Sequence, residues 1–62
     1  MSELARPLRQ EIETLRSRAE FAHLTDVCKR ALVAAKHVND LEGEAMAYFG
    51  LATAYRYTGP LR

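Results

Sequence analysis

Apolar positions between residues 8 and 38 recur at helical spacing, in two successive stripes. Members of the first are Leu8, Ile12, Leu15, Ala19 and Ala22. Members of the second are Leu24, Cys28, Ala31, Ala35 and Val38. A step of only two residues separates the stripes, and it turns the apolar face by about 200° at ~100° per residue. We therefore predict two packed helices with a turn near 19–24, since one straight helix would aim its halves in opposite directions.

A second boundary is predicted at Asn39-Asp40, because Asn39 can end a helix and Asp40 is a good N-cap. Glu42 and Glu44 would then lie in the first turn of a third helix, where the helix dipole favours negative charge. The third helix is predicted to end at Gly59-Pro60.

These boundaries predict an all-α chain of three antiparallel helices over about 6–18, 22–38 and 41–58. Pro7 suits the opening turn of the first helix. No Gly or Pro interrupts the chain between Leu8 and Glu42. An alternative therefore stays open, in which residues 8–38 form one long helix of a helical hairpin in a swapped dimer.

The predicted third helix is apolar on two sides. Tyr48, Leu51, Ala52 and Tyr55 share one side, which we expect to be core. Another side carries a second set, three of whose members are large: Met46, Phe49, Thr53 and Tyr57. The chain therefore has more apolar helix surface than three helices of this length are expected to bury.

Composition excludes several classes of protein. Nine Lys and Arg against eight Asp and Glu give a net charge of +1, which provides no electrostatic support for nucleic-acid or membrane binding. The single cysteine cannot form an intrachain disulfide, so we expect a reducing, cytoplasmic location. His23, His37 and Cys28 have no second ligand at metal spacing, and no nucleophile–base pair is present. We expect no metal, no cofactor and no enzymatic activity.

The later part of the chain resembles the tetratricopeptide repeat family. Its W-x2-L-G-x2-Y pattern is approximated by Tyr48-x2-Leu51-Ala52-x2-Tyr55, with Gly59 at the family's turn glycine. Leu24-x3-Cys28-x2-Ala31 is similar to the A-x3-F-x2-A signature of the preceding second helix. The segment KHVNDLEGEA resembles the connector of the subgroup with repeats of about 40 residues.

The resemblance implies one and a half repeats of an α-solenoid, with the next covering helix beyond residue 62. We would then expect a fragment of a longer array or a homo-oligomer, because about three repeats are normally needed for stability. It also implies a concave groove that binds a protein or peptide partner. The predicted groove residues are Arg9, Glu13, Arg16, Ser17, Met46, Phe49, Thr53, Arg56 and Tyr57.

Three functions are weighed. The leading hypothesis is a non-enzymatic interaction module that binds a peptide or helix in this groove. The alternative is a self-assembling structural unit, a homodimer through helix 3. A remote alternative is a DNA-binding helix-turn-helix, in which the recognition helix would offer only Lys29, Arg30 and Lys36.

Overall fold

The computed structural model describes residues 3–58 of the chain. Within this range it contains three helices and no strand: α1 (Ala5–Ser17), α2 (Phe21–His37) and α3 (Leu41–Thr58). The predicted all-α, three-helix arrangement is confirmed, and α1 and α2 are separate helices. Each observed boundary lies within one residue of the expected one. The predicted helix-ending residues Gly59 and Pro60 lie outside the described residues.

The two turns between the helices have the same geometry. Ala19 and Asn39 adopt left-handed backbone conformations, with φ of 59° and 57°. In each turn the next N–H donates to a carbonyl five residues earlier, from Glu20 to Leu15 at 2.9 Å and from Asp40 to Ala35 at 2.8 Å. Asparagine tolerates this conformation because its short polar side chain can hydrogen-bond to the nearby backbone. Alanine lacks such a group, and its left-handed conformation costs roughly 1–2 kcal/mol. The predicted break near Ala19 and the predicted ending role of Asn39 are both confirmed.

The start of α3 is capped more fully than the start of α2. Asp40 Oδ1 accepts a hydrogen bond of 3.0 Å from the Gly43 N–H, as expected of an N-cap, whereas Glu20 makes no side-chain cap to α2. Glu42 and Glu44 lie in the first turn of α3. The position and direction of α3 are therefore set locally by the residues just before it.

The core is built from large side chains of α1 and α2 and small ones of α3. The buried residues of α1 are Leu8, Ile12 and Leu15. Those of α2 are Leu24, Cys28 and Ala35. Those of α3 are Gly43, Ala47, Gly50 and Ala54. Three residues assigned to the first two stripes are instead exposed, because they lie in the α1–α2 turn or at the ends of α2: Ala19, Ala22 and Val38.

Gly50 shows why α3 presents small residues inward. A Cβ built on Gly50 would overlap Cys28 Sγ and lie 2.8 Å from Ile12 Cδ1. Both neighbours are fully buried, so neither can move aside without disturbing the core. At Gly50, α3 therefore packs directly against both α1 and α2, and the space beside Cys28 and Ile12 admits only a hydrogen atom in place of a side chain.

The prediction of which helix 3 residues form the core is therefore wrong. Tyr48 and Tyr55 are 51% and 45% exposed, Ala52 is exposed, and Leu51 is half-buried at the edge of the core. The helical period correctly groups these residues on one side of α3. It does not reveal that the opposite, smaller side is the one that fits against the other helices.

Candidate functional site

Two sets of accessible side chains lie on α3. One contains the α3 members of the predicted groove: Met46, Phe49, Thr53, Arg56 and Tyr57. The other, called here the outer stripe, consists of exposed residues only: Leu41, Ala45, Tyr48, Ala52 and Tyr55. The sets occupy neighbouring faces of the same helix, so α3 is apolar around most of its circumference.

Most of the groove set of α3 lies on one flank of its buried face, whereas Tyr57 stacks on Phe21 of α2. Tyr55, on the opposite flank of the buried face, borders a depression that is also lined by Phe21, Thr25 and Lys29 of α2. Helical spacing places Met46, Phe49 and Thr53 on the other flank of the buried Ala47–Gly50–Ala54 face. That flank is opposite the one on which Tyr55 borders the depression beside α2.

Three members of the α1 groove set, Arg9, Glu13 and Arg16, lie on one flank of its buried stripe by helical spacing. Glu11 lies by helical spacing on the opposite flank of the buried α1 stripe, and its negative charge helps to raise the pKa of the Cys28 thiol. Helical spacing thus groups Arg9 with Arg16 on α1, and Met46 with Phe49 and Thr53 on α3.

Individual groove residues differ in how much of their chemistry is available. Ser17 Oγ donates to Thr14 O at 3.0 Å, and Thr53 Oγ1 donates to Phe49 O at 2.9 Å. Both hydroxyls are therefore engaged by their own helices. Met46 is half-buried and packs on the core, which leaves part of its side chain accessible.

Tyr57 has a structural contact that sequence spacing does not reveal. Its ring stacks on Phe21 with centroids 5.0 Å apart and planes only 6° from parallel. The stack joins the last turn of α3 to the first residue of α2, and such pairs contribute about 0.5–1.5 kcal/mol. Phe49 is 57% exposed and makes no such ring contact in the described structure, so it is the groove residue best placed for a partner.

The groove is positively charged. Three arginines and one glutamate among the nine residues give a net charge of +2. Arg9 Nε lies 3.7 Å from Glu13 Oε2, with both side chains well exposed, so this pair adds little to stability.

Groups that could support chemistry elsewhere in the chain are buried or solvated. Burial, aided by the negative charge of Glu11, raises the pKa of the Cys28 thiol from 9.0 to about 11, which disfavours the reactive thiolate. His23 and His37 are exposed, and His23 Nδ1 lies 3.4 Å from Glu20 Oε1. Within residues 3–58 no cluster of three or more His, Cys, Asp or Glu residues could hold a metal ion.

A shallow depression also lies on the outer face of α2, between Arg30, Val33, His37 and neighbouring residues. Its lining residues belong to α2 or, in the case of Val38, directly follow it, so the depression is space between side chains on one face of a single helix. Arg30 of the suggested recognition helix is paired with Asp26. This pairing reduces the positive charge that α2 could offer to a phosphate backbone.

No protein-family model, curated protein or solved structure matches this chain. None of the helices in residues 3–58 combines the length and apolar character that a bilayer crossing requires.

The spacing of apolar residues in the sequence extends the outer stripe beyond the four residues expected to be core. Leu41, Ala45, Tyr48, Ala52 and Tyr55 follow one another in steps of four, three, four and three residues. Leu41 and Ala45 are not among the residues expected to be core, although they extend the same face. A complete stripe of this spacing is typical of a helix that packs against another helix.

Proposed function

We propose that this chain is a non-enzymatic, cytoplasmic protein-interaction module of tetratricopeptide type, which binds a peptide or helix at the α1–α3 junction. The observation that carries the proposal is the exposure of Phe49 on a flank of a packed helix, in a predicted groove whose three arginines are also exposed. Exposed aromatic and arginine residues are enriched at protein interfaces. The sequence resemblance supports the same function.

The ligand that best fits this site combines apolar and acidic residues. An apolar side chain of the ligand would pack on Phe49 and the accessible part of Met46. Carboxylates would pair with Arg16 and Arg56, which satisfies the net positive charge of the groove. Because α1 and α3 are packed against each other, the site is formed before binding and little ordering entropy opposes association.

The test is a selection of random peptides displayed on phage against the immobilised chain. We expect enriched peptides to carry apolar and acidic residues, and to bind as isolated synthetic peptides. Phe49→Ala should weaken their binding by about 30-fold, the loss expected when a central aromatic contact is truncated.

Val33→Ala is the matched control, because Val33 is 69% exposed on α2, away from the groove. This variant should bind the selected peptides as tightly as the unchanged chain. Failure to enrich any peptide, or equal binding by the Phe49→Ala and Val33→Ala variants, would contradict the proposal. Circular dichroism of both variants checks that the helices remain folded.

A further inference from the structure

The outer stripe is a helix-pairing surface that the chain itself does not use. It runs from Leu41 to Tyr55, about 21 Å along α3 at ~1.5 Å per residue. All five members are exposed, and none carries a charge. The chain's own helices pack against the opposite face of α3, where Gly50 fits between α1 and α2. The stripe therefore has the pattern of a coiled-coil seam without an internal partner.

We infer that the outer stripe pairs with the outer stripe of a second copy of this chain, with the two α3 helices antiparallel. The residue sizes favour this occupant. In one antiparallel register Tyr48 lies against Ala52 of the second copy, and Tyr55 lies against Ala45 of the second copy. Each large side chain then meets a small one, and the two-fold axis repeats every contact.

The charges that flank the stripe fit the same register. Glu42, Phe49 and Arg56 are spaced seven residues apart along one edge of the stripe. Antiparallel pairing brings Glu42 of each copy beside Arg56 of the other, with the two Phe49 side chains at the two-fold axis. A parallel pair would instead stack Tyr48 on Tyr48 and gather Glu42 and Glu44 of both copies at one end. Both the size pattern and the charge pattern therefore favour the antiparallel pair.

This pairing goes beyond the proposed groove function and stands on different residues, apart from Phe49 and Arg56 at the shared edge. A peptide that covers Phe49 would compete with the second copy. For that reason the decisive variant lies in the centre of the stripe, away from the groove.

The test is sedimentation equilibrium of the full chain across a wide concentration range. We expect a reversible monomer–dimer equilibrium. Ala52→Glu places a charge against Tyr48 of the second copy and should raise the dimer dissociation constant at least about tenfold. Ala52 is exposed and glutamate is a good helix former, so the monomer should keep its fold. Ala34→Glu, at an exposed alanine of α2, is the matched control and should leave the dissociation constant unchanged.

Charge reversal tests the orientation. Glu42→Arg and Arg56→Glu should each weaken the dimer, by roughly threefold to tenfold, and the double variant should regain most of the original affinity. A monomer at every concentration, or a dimer that Ala52→Glu leaves intact, would overturn the pairing. A dimer sensitive to Ala52→Glu but not restored by the double reversal would overturn the antiparallel register. Peptide binding by the Ala52→Glu monomer separates this outcome from that of the groove.

Discussion

Helices α1 and α3 use apolar residues in opposite ways. α1 buries its large side chains Leu8, Ile12 and Leu15, and its other faces are mostly polar or charged. α3 buries glycine and alanine, and its aromatic residues remain at the surface. The difference follows from packing, because Cys28 and Ile12 leave no room for a Cβ at Gly50, so α3 can approach α1 and α2 only through small residues. α1 therefore supplies the core, whereas α3 supplies the surface on which both proposed interactions depend.

Truncation of a large residue on each helix should give the largest contrast. Ile12→Ala should destabilise the chain by about 2–5 kcal/mol, because it leaves a cavity in the core. A domain of this size has only roughly 3–5 kcal/mol of stability, so much of this variant should be unfolded. Leu41→Ala, at a position 76% exposed, should change the unfolding free energy of the monomer by less than about 0.5 kcal/mol.

Urea unfolding followed by circular dichroism, at a concentration where the chain is monomeric, measures both effects. Similar losses for Ile12→Ala and Leu41→Ala would mean that the large residues of α3 contribute to the monomer core as those of α1 do. That result would remove the contrast between the helices.

The next largest effect is a loss of stability at alkaline pH. The Cys28 thiol has a pKa of about 11 in the folded chain, against an ordinary value of 9.0. Below pH 9 the thiol is protonated in both the folded and the unfolded state, so the free energy of unfolding is not reduced by its ionisation. As pH rises through 9 to 11 the unfolded state ionises first, so about 2–3 kcal/mol should be lost.

Unfolding free energies measured at several pH values should show this loss, and Cys28→Ala should reduce it. Tyrosines and lysines titrate in the same range, so the difference between the two proteins is the informative quantity. If the unfolding free energies of the original chain and of Cys28→Ala fell in parallel as pH rises, the close packing of the small residues of α3 would not be excluding water from the thiol.

The smallest effect sharpens the contrast within α3. Gly50→Ala should gain about 1 kcal/mol of helix propensity, but it inserts a methyl group between Cys28 and Ile12. Overpacking of this kind costs about 1–3 kcal/mol, and the overlap places Gly50 at the upper end, so we expect a net loss of about 1–2 kcal/mol. Ala45→Gly, on the outer stripe, should also lose about 1 kcal/mol, through propensity alone.

The same unfolding measurement distinguishes the two causes when a second substitution is added. Cys28→Ala should relieve part of the Gly50→Ala loss by making room for the methyl group, and should leave the Ala45→Gly loss unchanged. If the Gly50→Ala chain were more stable than the original, close packing of α3 against α1 and α2 would not require a residue without a side chain at position 50.

Much of the fold could be predicted from local signals. The change of phase after Ala22 and the Asn39-Asp40 pair marked both turns, which the structure builds with the same left-handed geometry. The groove flanks of α1 and α3 could be grouped by spacing as well. The buried face of α3 could not, since it carries the least hydrophobic surface of the helix and two other faces give a stronger apolar signal. The stack of Tyr57 on Phe21 was equally hidden, because it joins residues distant in sequence.

By itself, the sequence determined that the chain is helical, where its helices begin and end, and which residues share a face. These properties depend on backbone conformation, capping and helical period, all of which act over a few residues. Only the tertiary structure decided which face of α3 turns inward. That choice depends on the distance between helix axes, and at Gly50 the space left by Cys28 and Ile12 admits no side chain. The aromatic residues of α3 were thereby placed at the surface, where a partner can reach them.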